Sequence, residues 1–132
     1  MQGDLFEIRG GKLAERHSRN PYVLKLARTL VSDHTKAFDQ SAALAKRLHV
    51  EVPHSPTESQ KWELAIVASL HTQRSFDRWY SSLEVGDHMQ DISESADEVS
   101  DGSNTEVRKD ARDALPMLRM HLRLARQALA HS

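Results

Sequence analysis

The sequence predicts an all-α fold, a four-helix bundle, and three observations carry that reading. Two long stretches place apolar residues in alternating four- and three-residue steps, the seam of helices packed at shallow angles. Helix start signals divide the chain into segments of helical length. Glycine (5) and proline (4) are scarce, which disfavours collagen-like and turn-rich all-β classes. Aromatic residues make up only 5% of the chain, so the expected core is mainly Leu, Ala, Val and Ile.

Taken in order, Asp4 with Glu7 three residues on is a cap signal for a first helix near 4–18. Asn20-Pro21 is an N-cap followed by proline at the first helical position, where its missing N–H costs nothing. The helix near 21–49 carries the clearest seam: Val23, Ala27, Leu30, His34, Ala37, Ser41, Leu44 and Leu48, widened by Leu26 and Phe38. Ser55-Pro56-Thr57-Glu58 repeats the proline device inside a capping box. As one helix, 57–99 would run about 64 Å, whereas its neighbours reach only about 42 Å at 1.5 Å per residue. A break is therefore expected around His71 to Ser75, giving a connecting helix near 57–70 and a third long helix near 74–99. Ser103-Asn104-Thr105-Glu106 is read as a second box opening a helix near 104–131, striped by Ala111, Leu115, Leu118, Leu122, Ala125 and Leu129. Pro116 lies within that helix and is expected to kink it.

Composition narrows the function. The 132 residues fit a single domain, 1–132. A net charge of −1 speaks against a generally basic nucleic-acid binder. Without cysteine, disulfides, thiolate zinc sites and a cysteine nucleophile are excluded. The longest apolar run, Leu64 to Leu70, is far too short to cross a bilayer. No serine elbow or glycine-rich phosphate loop is present.

Charge is unevenly spread. Trp79 to Val107 holds no Lys or Arg, and Asp87, Asp91, Glu94, Glu98 and Asp101 fall on one helical stripe. The next helix carries Arg108, Arg112, Arg119, Arg123 and Arg126. Folded back antiparallel, these arginines are expected to form a solvated charge ladder with the acids, weak per pair. The competing reading is a surface that attracts cations, a protein partner or a second copy of the chain.

Eight histidines are many for this length. His49, His54 and His131 fall at helix ends or in loops and are expected to do nothing specific, and His17 and His71 are ambiguous. His34, His88 and His121 each lie on or beside an apolar stripe. A buried imidazole without a partner costs about 1–3 kcal/mol, so the topology that supplies partners matters. If every connection is a tight hairpin, His34 sits level with Gln73 and Asp77. If 57–70 crosses the bundle, the second and third long helices run parallel, and Glu7, His34, Glu84, His88 and His121 gather in one layer.

Two readings compete for that layer. In one, a hydrogen-bonded His–carboxylate network fixes helix register. In the other, the imidazoles and carboxylates bind a divalent metal, for which zinc, iron, copper and nickel are the candidates. No helix carries a Glu-x-x-His pair, which speaks against a di-iron oxidase.

Glu7-Ile8, Gly11-Lys12-Leu13-Ala14, Asn20-Pro21 and Asp33-His34-Thr35-Lys36-Ala37 follow one another in a pattern that continues through Phe76-Asp77-Arg78, Tyr80, Asp87-His88 and Ala114-Leu115-Pro116-Met117-Leu118-Arg119-Met120-His121-Leu122. In order and spacing it resembles the bacterial domain-of-unknown-function family 4142, whose members are labelled predicted outer-membrane or exported proteins. The resemblance implies a ferritin-like four-helix bundle with a short crossover helix. It also implies residence in the periplasm or cell envelope after removal of an export signal, with recurrent histidines matching His34, His88 and His121. This chain carries no export signal and is expected to start late in the family's first helix, which leaves a cytoplasmic location open.

The combined expectation is a cell-envelope or stress-related bundle, not obviously an enzyme, that binds a divalent metal between its helices through His34, His88, His121, Glu84 and Glu7. The alternative is a structural or interaction module whose buried histidines only fix packing.

Overall fold

A computed structural model describes residues 1–132 and contains five helices and no strand: α1 (Gln2–His17), α2 (Pro21–Arg47), α3 (Glu58–Ala68), α4 (Gln73–Asp101) and α5 (Thr105–Ala130). The long helices α1, α2, α4 and α5 form the bundle, and the expected break falls at residues 69–72.

Local chemistry explains most ends. Asn20 accepts from the Tyr22 N–H, with Pro21 in the first turn of α2. Thr57 caps α3 in a reciprocal box with Gln60, so the box begins two residues after Ser55. Asn104, rather than a Ser103 box, caps α5 by accepting from the N–H groups of Glu106 and Val107. Asp4 is not a cap. Helix α1 begins at Gln2, before it, so the Asp4 carboxylate is free to reach another helix. Helix α2 stops at Arg47, short of 49, because His49 takes a left-handed φ of 56°. Helix α5 continues through Pro116.

Pairings between helices set the topology. Arg28 meets Glu15 across α1 and α2, and Arg108 donates from Nε to the Val99 carbonyl across α4 and α5. Asn20 bonds the His131 carbonyl while Arg47 pairs with Glu106 at the opposite end, so α2 and α5 are antiparallel. His17 stacks on Phe76, while Glu7 lies 3.9 Å from His88, so α1 and α4 are antiparallel too. Helices α2 and α4 both oppose α5 and therefore run parallel. The crossover makes this possible: α3 packs on α1 and α4 and sinks Val67 into the core.

The core is asymmetric. At the end where α2 begins, Ala14, Val23, Leu26, Leu30, Phe76, Tyr80, Ala125 and Ala128 are buried. Burying each large apolar side chain contributes about 1.5–3 kcal/mol. Past His34 the seam opens, and Ala37, Ser41, Leu44 and Leu48 are only half-buried. On α5 the buried line is Leu118, His121, Ala125 and Ala128, turned from the expected stripe so that Leu115, Leu122 and Leu129 are half-buried.

Two surface expectations are corrected. No ion pair joins the α4 acids to the α5 arginines; Arg108 spends its guanidinium on a carbonyl, and Lys109 pairs within its own helix with Asp113. His131 does have a specific place, stacked on Tyr22 at a centroid distance of 3.9 Å while its carbonyl takes the Asn20 amide.

Candidate metal centre

Immediately beyond the apolar core, the bundle buries a layer of ionisable side chains. Glu7 of α1, Glu84 and His88 of α4, and His121 of α5 are wholly buried, and His34 of α2 is 2% exposed. All five residues singled out by spacing and register are here, one or two from each bundle helix. The rings of His34 and His121 and those of His88 and His121 lie 5.2 Å apart, and those of His34 and His88 5.8 Å.

Each ring is held by one nitrogen only. His34 Nδ1 donates to Asp4 Oδ1 at 2.8 Å, His121 Nε2 to Asp33 Oδ2 at 3.1 Å, and His88 Nδ1 to the Glu84 carbonyl at 2.9 Å. The remaining nitrogens, His34 Nε2, His88 Nε2 and His121 Nδ1, are buried and have no hydrogen-bond partner. In a neutral imidazole the nitrogen opposite the N–H carries the lone pair. One donor atom from each of the three rings lies within 4.8 Å of the others.

Burial drives the His88 pKa down to about 3, helped by His121 and His34 and opposed by its bond to the Glu84 carbonyl. Burial lowers His121 as well, against the pull of Asp33. Both rings are therefore neutral at pH 7, the state in which imidazole binds metal. Around Asp4 burial acts upward, but the His34 hydrogen bond and the chain's amino group outweigh it and keep the carboxyl below its ordinary value. An ionised Asp4 fixes the His34 ring and its tautomer, the usual outer support of a metal-binding histidine.

On the Nδ1 side of His88 stand two carboxyls, Glu84 Oε2 at 3.8 Å and Glu7 Oε1 at 3.9 Å. They form a second possible ligand group with His88. Burial, then the neighbouring Glu84, pushes Glu7 well above the carboxylate range. Burial raises Glu84 to about 8, although its contact with Glu7 works the other way. Two acids this close in a dry interior resist ionising, and none of their four oxygens has a hydrogen-bond partner. Because His88 Nδ1 carries its hydrogen to a carbonyl, only Nε2 has a lone pair to offer a metal. The carboxyls are neighbours of that group.

A scan of family models finds the one described as a domain of unknown function, DUF4142, matching residues 1–128. The chain belongs to the DUF4142 family. Neither the curated proteins nor the solved structures gave a match. For this DUF4142 chain the site must therefore be read from its own chemistry. No helix is long and apolar enough to cross a membrane.

Periodicity located the five central residues but missed their supports. Asp33 and Asp4 have no place on an apolar stripe; their only signals were an acid adjoining His34 and an acid one turn before Glu7. Tyr80 was also missed. Its hydroxyl is buried beside the carboxyls, unpartnered, and its pKa is driven well above the ordinary value by burial and by Glu84 and Glu7.

Proposed function

We propose that this DUF4142 protein binds one divalent transition-metal ion inside its bundle, through His34, His88 and His121, with Glu84 and Glu7 beside it. The observation that carries the reading is the set of three convergent imidazoles, each oriented by one nitrogen and each unpartnered at the other. A network built only to fix register would spend those nitrogens on one another or on the carboxyls, because a buried unpaired polar group costs about 1–3 kcal/mol. Three imidazole nitrogen donors with oxygen donors nearby suit zinc, copper, nickel or iron(II). Three protein ligands also leave a coordination position open on a tetrahedral ion. An envelope location belongs to the same reading and rests on the resemblance of the motifs, not on the fold.

The test is equilibrium dialysis of untagged protein against zinc, copper, nickel and ferrous iron, followed by elemental analysis. The reading expects one tightly held ion per chain, lost in His34→Ala and in His121→Ala while circular dichroism still reports a helical fold. Wild-type protein that retains none of the four overturns it.

A further inference from the structure

A cavity of about 700 Å³ opens where the core seam fails beyond His34, between α1, α2, α4 and α5. Asp4, Asp33, Asp91, Glu94, Glu98 and Asp110 are on its wall, and the cations lining it are Lys36 and the amino group of Met1. Those two cations are already engaged, Lys36 with Asp33 at 3.9 Å and the amino group with Asp4 at 3.2 Å. Like charges gathered around one concavity focus a negative potential into it. The same wall includes His34, a side chain 2% exposed whose Nε2 has no partner. It also includes both carboxylates that orient imidazoles, Asp4 for His34 and Asp33 for His121.

We infer that this cavity is the loading port of the bundle, an acidic antechamber that collects divalent cations from solvent and passes them across the Asp4–His34 wall to the three imidazoles. The inference rests on the proposed metal site and adds its route and its selectivity for charge. Burying the site removes direct access from water, so an ion needs a path that offsets the loss of its hydration shell. Carboxylate oxygens along the wall supply transient ligands for that purpose, and nitrogen donors of higher affinity for transition metals lie at its inner end. The charge pattern also bears on the missing ladder, because Asp91, Glu94 and Glu98 of α4 face this space instead of the arginines of α5.

The probe is cobalt(II), whose visible absorption reports tetrahedral or five-coordinate nitrogen ligation, mixed rapidly with metal-free protein. The double variant Glu94→Gln/Glu98→Gln removes two wall charges that touch none of the imidazoles, at one exposed and one half-buried position. Loading is expected to slow by about three- to tenfold at low ionic strength and to lose part of its salt dependence, as removal of steering charge requires. The final spectrum and stoichiometry should match wild type. Glu58→Gln/Glu63→Gln makes the same change in net charge on α3, outside the cavity wall, and should load at the wild-type rate. A loading rate indifferent to Glu94 and Glu98, or equally slowed by the control, overturns the port while leaving the metal site standing. A wild type that takes up no cobalt overturns both.

Discussion

His34 and His121, on antiparallel helices, face each other at 5.2 Å, each anchored from behind by an aspartate of a neighbouring helix. Asp33 of α2 holds the ring of α5, and its next neighbour in sequence, His34, is held in turn by α1. One Asp-His step on α2 thereby ties three helices together. The free nitrogens are left in an interior with few other ways to be satisfied, which is the property that makes the site a metal candidate.

The metal-free protein should be most stable near about pH 4 to 4.5 and lose stability as the pH rises from there. His88 falls from 6.5 unfolded to about 3 folded, so between those values its ring binds more protons unfolded and its own contribution rises with pH. Glu84 rises from 4.5 to about 8, so between those values the folded chain binds more protons and stability falls as pH rises. Asp91, raised from 3.8 to about 7, adds to the alkaline loss. Between 4.5 and 6.5 the His88 term opposes those of Glu84 and Asp91 together, so stability already falls. Above 6.5 the acid terms act alone, each at up to about 1.4 kcal/mol per pH unit. Thermal melts from pH 4 to 8.5 check this, and a melting temperature still rising from pH 6.5 to 8 contradicts it.

Glu84→Gln should stabilise the metal-free protein at pH 7.5, by about 1–3 kcal/mol. The amide keeps shape and hydrogen bonding but cannot ionise, so Glu7 loses the neighbour whose charge it resists. The melting curve should also lose much of its alkaline slope. Denaturant titration at pH 5.5 and 7.5 provides the readout, with the larger gain at the higher pH.

The five-residue layer was legible because each helix contributes a simple period and only two topologies are open to four helices of this length. Once α2 and α4 are parallel, residues 34, 84 and 88 share a height. The supports were illegible for a related reason. An acid at a helix start followed three residues later by glutamate matches a cap pattern, and nothing local reveals that α2 covers Asp4. The charge ladder failed similarly, since opposite charges on adjacent helices specify neither rotation nor distance. On α5 the leucines suggested one stripe, but small Ala125 and Ala128 pack closest, turning the helix and placing His121 at the centre.

Gly11→Ala should destabilise the fold by about 1–3 kcal/mol. A Cβ at residue 11 would fall 2.6 Å from Val31 Cγ2 and 2.9 Å from the Ala27 carbonyl oxygen, so α1 and α2 would have to separate. That separation would also stretch the Asp4–His34 bond. The variant is therefore expected to lose metal affinity along with stability, whereas Gly86→Ala, where a Cβ meets nothing within 4 Å, should lose neither. Paired melts and metal titrations of the two variants separate a local packing fault from a general intolerance of alanine.

Asp33→Ala should weaken metal binding by about 10- to 100-fold, the usual cost of removing a carboxylate behind a ligating histidine. Without Asp33 the His121 ring loses the acceptor for its Nε2 hydrogen, so the other tautomer becomes accessible and Nδ1 no longer reliably presents a lone pair. Asp33 is only partly buried, but its removal leaves a buried imidazole N–H without a partner, so metal-free stability should fall by about 1–3 kcal/mol. Competition titration against a chelator of known affinity measures the effect. Because Asp33 also lines the port, the dissociation rate must be followed as well: a lost support accelerates release, whereas a lost steering charge mainly slows uptake. Unchanged release with full loading would mean that His121 is oriented by packing alone.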